Sequence, residues 1–180
     1  MGLRFKSFRG WCTISSTLLC CGLLTSNSKN LPFELDLLLF STPLMSLDIS
    51  SLTNAITRLA EGWVRYQSDI NDTQIRDGLI QRFKITYELA HKMLKRYLEA
   101  SAANPVEFDQ TDFQYLIRSA NEQGLLLGDW VQWRRYRDMR AKTSHTYDEA
   151  IAREVVDAIP GFLKEVQYLY QQLMERLSNE

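Results

Sequence analysis

The sequence predicts an all-α fold, an up-and-down bundle of four or five helices within residues 46–180. From Ser50 onward, apolar residues recur at spacings of three and four, as they do on one face of a helix. No segment alternates apolar and polar residues with period two over the length of a strand. Turn-forming residues divide the region into five segments, which favours a bundle with one apolar core.

The first two predicted helices form a pair. We expect Ser50 and Ser51 to cap the first, and Asn71-Asp72 to end it and cap a long second helix that stops before Asn104-Pro105. The predicted inward positions of the second helix are Ile75, Leu79, Ile80, Phe83, Tyr87, Ala90, Leu94, Tyr97 and Leu98. The basic residues expected to face solvent on it are Arg76, Arg82, Lys84, Lys92 and Lys95.

Capping and turn residues also bound the third and fourth helices. The third is short and is expected to begin at Asp109 or Thr111. Gly124 and Gly128 bracket the next turn, and Asp129 is expected to cap the fourth helix, which carries a run of arginines.

A fifth helix is predicted over residues 148–177. Acidic residues at its start suit the positive end of the helix dipole. Pro160-Gly161 is expected to bend or split this helix, because proline clashes with the preceding turn.

Residues 1–45 have a different character from the rest. Basic side chains precede the apolar stretch 11–24, as in a secretory signal, but the stretch is too short and interrupted for a membrane span. All three cysteines lie in the first 21 residues, so the remainder needs no disulfide and fits a reducing compartment such as the cytoplasm. We favour an extension that is disordered or lies upstream of the protein's own start at Met45, with a working signal as the alternative.

Charge composition limits the classes of binding site. The formal net charge is −1, so no global basic excess indicates nucleic acid, and any anion-binding surface must be local. The basic run 134–142 is the strongest candidate. No cluster of residues has the spacing of zinc ligands, so we expect no metal and no cofactor.

Residues 140–147 carry the groups that handle a phosphodiester. Arginine presents a permanent charge and a planar fork to phosphate, and histidine exchanges protons near pH 7. RNA supplies its own nucleophile, the 2′-hydroxyl, so Arg140 would stabilise developing charge and His145 would act as general acid or base. Flanking phosphates would be held by Arg134, Arg135, Arg137 and Lys142, and a base would stack on Trp133 or Tyr136. The alternative is a solvated arginine face with a histidine that caps or packs.

The spacing of this pair sets a structural condition. Five residues of continuous helix would separate the side chains of Arg140 and His145 by about 140°. Convergence therefore requires the helix to end near residues 142–144, which Thr143 and Ser144 favour, with His145 turning back from a loop.

Two motifs carry a family resemblance. Residues 76–83 and 86–90 resemble the second helix of the nucleotidyltransferase substrate-binding proteins, the compact HEPN partners of minimal (MNT-type) nucleotidyltransferases. Arg140 followed by Thr-Ser-His-Thr-Tyr-Asp-Glu at 143–149 resembles that family's Arg-x4-His-x-Tyr signature.

The resemblance implies a helical bundle that forms homodimers, with two Arg/His motifs meeting near the dimer interface. It also implies a toxin–antitoxin pair in which this chain is a metal-independent endoribonuclease, with Arg140 and His145 catalytic. The partner nucleotidyltransferase would neutralise it, in some cases by attaching AMP to the tyrosine that corresponds to Tyr147. Nothing in the sequence resembles a nucleotidyltransferase active site, so the chain is not expected to transfer nucleotides itself.

Two positions depart from the family pattern. Ala141 stands where a polar residue, often asparagine, is common, and His91 stands where a bulky aromatic is expected. Two other interpretations therefore stay open: a non-catalytic subunit that binds the nucleotidyltransferase or its substrate, and a helical dimer whose motif is a relic.

Overall fold

The computed structural model describes residues 47–102, 112–145 and 147–179. In chain order, the elements are α1 (Ser50–Ser68), α2 (Thr73–Ser101), α3 (Phe113–Glu122), α4 (Trp130–Lys142), a 3₁₀ turn (Thr143–His145) and α5 (Glu149–Ser178). These ranges contain no strand, and the predicted all-α, up-and-down bundle is confirmed. The extension 1–45 and the predicted start of the third helix at Asp109 or Thr111 lie outside the described residues.

Aspartates begin three of the helices. The carboxylates of Asp72, Asp129 and Asp148 each accept hydrogen bonds from the backbone N–H groups two and three residues later, which otherwise lack a partner in the first turn. The predicted caps at Asp72 and Asp129 are thereby confirmed. The predicted serine cap is wrong, because α1 already includes Ser50, whose N–H donates to the Asp48 carboxylate at 2.9 Å.

A glycine ends α3. Gly124 has φ of +69°, a left-handed conformation that costs glycine little. The N–H of Gly124 donates to the carbonyl of Asn121 at 2.8 Å, and the N–H of Leu125 donates to that of Ala120 at 2.9 Å. This termination turns the chain toward α4 at the position that the sequence predicts.

The core lies where α1, α2, α4 and α5 meet. α1 packs mainly against α2, both pack against α5, and α4 joins them through α5. Phe162 is the aromatic centre: its ring lies 4.9 Å from that of Phe83 and 5.2 Å from that of Tyr136, both edge to face. None of the described helices combines the length and apolarity that a membrane crossing requires.

α5 continues through Pro160 without being split. Proline removes one helical hydrogen bond, but buried residues on both sides of it, Val156, Ile159 and Phe162 among them, hold both turns on the core. Tertiary packing therefore keeps the helix continuous: of the predicted alternatives, the split is wrong, and the bend stays a prediction.

A buried glutamate fixes the entry into α4. Glu165 of α5 is only 4% exposed, and its carboxylate accepts the N–H groups of Leu127 at 3.0 Å and Gly128 at 2.9 Å. It also accepts the indole N–H of Trp133 at 3.0 Å. Three donors satisfy this carboxylate, so it ties the start of α4 to the middle of α5.

Candidate functional site at the end of α4

The helix that carries the arginines ends where the sequence predicts. α4 stops at Lys142, and residues 143–145 continue as a 3₁₀ turn in which the Thr143 hydroxyl donates to the carbonyl of Arg140 at 2.7 Å. His145 thus lies in a tight 3₁₀ turn and not in the loop that the sequence predicts. A 3₁₀ turn advances about 120° per residue, so it does not by itself carry His145 round to the side of Arg140.

His145 and Tyr147 are neighbours on the surface. Their ring centroids lie 6.2 Å apart at 73°, and both side chains are exposed, Tyr147 by 88%. The backbone N–H of Asp148 donates to the carbonyl of His145 at 3.1 Å and closes the turn. Both functional groups, imidazole and phenol, are therefore open to a reactant from solvent.

Arg140 reaches across to α2. Its guanidinium donates to the Glu88 carboxylate at 2.5 Å, and both side chains are a little under half exposed. An ion pair this accessible contributes little stability, because water competes for both partners. The pair orients the guanidinium, and a phosphate can replace the carboxylate as its ligand.

A groove lies beside Arg140 between α2, α3 and α4. Its volume is about 750 Å³. The residues that line this groove are Tyr87, Glu88, His91, Lys95, Asp112, Phe113, Leu116, Arg137, Arg140 and Ala141. It contains three cations, two carboxylates and three aromatic rings, a mixture that suits a ligand with charged and planar parts.

The predicted phosphate-binding residues divide between two faces. Arg137 and Arg140 line the groove, one helical turn apart. Arg135 lines a separate concavity against α5, and Lys142 pairs with Glu154 of α5 at 2.6 Å. Arg134 is exposed. Of these four predicted phosphate-binding residues, Arg137 alone lines the groove together with Arg140.

The predicted stacking residues are buried, so that prediction is wrong. Trp133 is fully buried with its indole N–H on Glu165, and Tyr136 is 7% exposed. Burial, with a smaller effect of nearby Glu165, raises the pKa of the Tyr136 phenol. Both rings belong to the stripe 133, 136 and 139 that packs α4 on the core, so neither can receive a base.

Two aromatic side chains in the groove were missed as site residues. The ring of His91 stacks nearly parallel to Tyr87 at 6.4 Å and lies 5.5 Å from Phe113. The guanidinium carbon of Arg137 lies 4.6 Å from the centre of the Phe113 ring. His91 follows Glu88 and Tyr87 by three and four positions, a spacing that places the three on one face of α2.

The groove also perturbs two titrating groups. Burial lowers the pKa of His91, and the charges of Arg137 and Lys95 lower it further. Burial raises the pKa of Tyr87 to about 12. Both rings are therefore neutral near pH 7.

Arg76 anchors the segment that follows the site. The predicted exposure of Arg76 to solvent is wrong: it is only 8% exposed, and its guanidinium donates a hydrogen bond to the Glu149 carboxylate in the first turn of α5. That bond, more than the nearby Arg153, lowers the pKa of Glu149. The chain after Tyr147 is thus fixed to the start of α2. Among the described residues, no group of three or more His, Cys, Asp or Glu side chains is arranged to hold a metal ion.

Comparison with known proteins gives consistent matches. Residues 47–175 match the family described as "Nucleotidyltransferase substrate binding protein like". A Haemophilus influenzae protein named "Probable ribonuclease HepT" is 38% identical over 127 residues, which cover 70% of this chain and 86% of that protein.

Two solved structures share the fold. One, from Haemophilus influenzae, is described as revealing the fold of a substrate binding domain of a nucleotidyltransferase. It has a TM-score of 0.66 and 36% identity, covering 71% of this chain and 99% of that chain. The other, from Thermus thermophilus, has a TM-score of 0.54 and 28% identity, covering 68% and 98%.

Proposed function

Because this chain belongs to the nucleotidyltransferase substrate binding protein-like family, we propose that it is the HEPN-type toxin of a toxin–antitoxin pair. Its activity is metal-independent endoribonuclease cleavage by way of the RNA 2′-hydroxyl. Its partner is a small MNT-type nucleotidyltransferase, and its working form is a homodimer in the cytoplasm. The name of the Haemophilus influenzae relative, a probable ribonuclease, supports the activity.

The observation that carries this proposal is the arrangement at the end of α4. The exposed His145 and Tyr147 follow directly after a helix end whose Arg140 lines a groove. A general acid or base, a phosphate-binding cation and an accessible hydroxyl are thus held within one short segment. The 3₁₀ turn does not by itself bring His145 to the side of Arg140, so we take the site to be completed by the second copy of a dimer.

Cleavage proceeds by attack of the 2′-hydroxyl oxygen on the adjacent phosphorus. The bond from phosphorus to the 5′-oxygen of the next nucleotide breaks, leaving a 2′,3′-cyclic phosphate and a 5′-hydroxyl. His145 accepts the proton from the 2′-hydroxyl, and the His145 of a second copy donates one to the 5′-oxygen. Arg140 exchanges Glu88 for the phosphate and stabilises the charge that builds on its oxygens. Arg134, Arg135, Arg137 and Lys142 contribute the local positive charge that attracts flanking phosphates.

The partner silences the enzyme at Tyr147. The phenol oxygen attacks the α-phosphorus of ATP, pyrophosphate leaves, and the phenol proton goes to solvent. The product carries AMP at a position whose ring lies 6.2 Å from that of His145. The added bulk and negative charge block access to His145 and compete for Arg140.

A second candidate is a non-catalytic subunit that binds the nucleotidyltransferase or its substrate. Two observations favour it: Ala141 supplies no polar group beside Arg140, and the structural relative is described as a substrate binding domain of a nucleotidyltransferase. In that case the groove and Tyr147 serve binding, and His145 has no chemical role.

The two candidates separate in a cleavage assay. The full chain is purified in three forms, wild type, His145→Ala and Arg65→Ala, and incubated with total cellular RNA in EDTA. Arg65 is an exposed cation of α1, so Arg65→Ala controls for the loss of a surface residue away from the site.

We expect wild type and Arg65→Ala to cleave RNA, and His145→Ala to lose at least about 10²-fold in rate. Expression of the wild type alone should arrest growth, and coexpression of the partner should restore it. Folded wild-type protein that cleaves no RNA and does not affect growth would support the binding subunit instead.

A further inference from the structure

Arg137 is the cation of the groove that pairs with no carboxylate of the described residues. In the described part of the chain, Arg140 pairs with Glu88 and Lys95 pairs with Glu99 at 3.3 Å, whereas Arg137 forms no ion pair. Its guanidinium instead lies on the Phe113 ring at 4.6 Å from the centroid. Arg137 is exposed, so the side of its guanidinium away from the ring is accessible to a second planar group, as in stacked recognition of unpaired bases.

His91 supplies a second planar group to the same groove. Its ring is half-buried between Tyr87 and Phe113, which fixes its orientation. Burial lowers its pKa, so near pH 7 the imidazole is neutral and offers one hydrogen-bond donor and one acceptor. Those are the groups that read the edge of a base.

The groove adjoins the proposed reacting centre. Arg140 and Arg137 both line it and lie one turn apart on α4, with Cβ atoms about 5–6 Å apart. Ala141 also lines it, and its small side chain leaves the space beside Arg140 open. A strand whose phosphate binds Arg140 therefore has the groove immediately beside that phosphate.

We propose that this groove binds the nucleotide flanking the scissile phosphate of single-stranded RNA. The base stacks on the Arg137–Phe113 pair, and His91 contacts its edge. This inference rests on the proposed function in taking RNA as the ligand. It assigns to Phe113, Arg137 and His91 the stacking role that the sequence had suggested for Trp133 and Tyr136. The groove volume of about 750 Å³ accommodates one nucleotide.

The test measures binding separately from cleavage. A fluorescent single-stranded RNA, methylated at every 2′-oxygen so that it cannot be cleaved, is titrated with the full chain, and anisotropy gives Kd. The variants are Phe113→Leu, Arg137→Gln and His91→Leu. The control is Tyr66→Leu, which removes a half-buried aromatic ring from α1, outside the groove.

We expect Phe113→Leu to weaken binding by up to about 5- to 150-fold, the range for losing one base stack, because the Arg137 guanidinium that carries the base loses the ring that holds it in place. Phe113→Tyr, which keeps the ring, should restore most of the affinity. On a strand of the same length with abasic positions, the wild type should bind as weakly as Phe113→Leu, and the variant should lose nothing further.

Equal affinity of Phe113→Leu, Arg137→Gln and Tyr66→Leu overturns the inference, as does an equal loss on normal and abasic strands. Arg137 is exposed, so Arg137→Gln tests the inference even if Phe113→Leu unfolds. If the wild type cleaves RNA and the groove variants bind RNA as tightly as the wild type does, this inference alone is refuted. Base-dependent binding in the groove without any cleavage refutes the ribonuclease and the reference to a scissile phosphate, and it supports the groove as a binding site for one nucleotide of single-stranded RNA.

Discussion

Replacing Glu165 by alanine is expected to destabilise the protein by about 2–4 kcal/mol, since a buried donor left unpaired costs about 1–3 kcal/mol and, of the three donors, the Trp133 indole is buried and the two backbone N–H groups are part-buried. The wild-type carboxylate satisfies two backbone N–H groups, those of Leu127 and Gly128, and the indole N–H of Trp133. All three donors lie at the entry to α4. They relax together once the carboxylate is gone, so the three costs do not add in full.

Glu165→Gln separates hydrogen bonding from charge. The amide keeps one acceptor oxygen but presents N–H groups where the second carboxylate oxygen accepts from Gly128. We expect a smaller loss of about 1–2 kcal/mol, because one bond is lost and the remaining bonds are no longer charge-assisted.

Urea unfolding followed by circular dichroism gives the free energy of unfolding of each variant. Glu175→Ala is the matched control, a glutamate on the exposed side of the same helix, and it should change stability by less than about 0.5 kcal/mol. A Glu165→Ala protein as stable as Glu175→Ala would refute the claim that this carboxylate holds the start of α4.

Three further predictions concern the groove, the anchor and the regulatory tyrosine. Burial lowers the pKa of His91 below its ordinary 6.5, so as the pH falls below that value the unfolded chain takes up the proton first and the wild type loses stability. In thermal melts, the Tm of His91→Phe relative to that of the wild type should therefore rise from pH 7 to pH 5.5, and a Tm difference that stays constant would contradict this prediction. Arg76→Gln should lower Tm and Arg153→Gln should not. Because the pKa of Glu149 is lowered from its ordinary 4.5, the stability contributed by the Arg76–Glu149 ion pair is fully present above pH 4.5 and is lost as the pH falls through the folded-state pKa. The difference in Tm between the two variants should therefore narrow at low pH, and a difference that stays unchanged would argue against the ion pair. Tyr147→Phe lacks the hydroxyl of an 88% exposed ring, so in the presence of the partner nucleotidyltransferase it should take up no label from α-labelled ATP. Its RNA cleavage should continue under these conditions. Label incorporated by the variant would show that another residue is the acceptor.

The helices were predictable because their boundaries depend on local chemistry. Asp72 and Asp129 accept hydrogen bonds within their own first turns, and Gly124 ends α3 through its own backbone conformation. Each effect acts over a few residues and is visible in the sequence. Pro160 shows the limit, because the buried turns on both sides of it pack against helices distant in sequence, and this packing keeps α5 continuous where local rules predict a bend or a split.

The helix end that carries the candidate site was predictable, and its surroundings were predictable only in part. The end of α4 at Lys142 follows from the poor helix formers after it, and the structure has it there. The burial of Trp133 depends on a glutamate 32 positions away, and that of Arg76 on a glutamate 73 positions away. Contacts across such separations are set by how the helices pack, which periodicity in a single sequence does not specify.

The most direct measurement of the proposed function uses a defined RNA that the wild type cleaves at one site. A copy is prepared with a single 2′-deoxy nucleotide on the 5′ side of that bond, and both are incubated with the full chain in EDTA. We predict cleavage of the all-ribose strand to a 2′,3′-cyclic phosphate and a 5′-hydroxyl, and none at the substituted bond or by His145→Ala. Cleavage at the deoxy position, or activity that EDTA abolishes, would contradict a metal-independent mechanism driven by the 2′-hydroxyl.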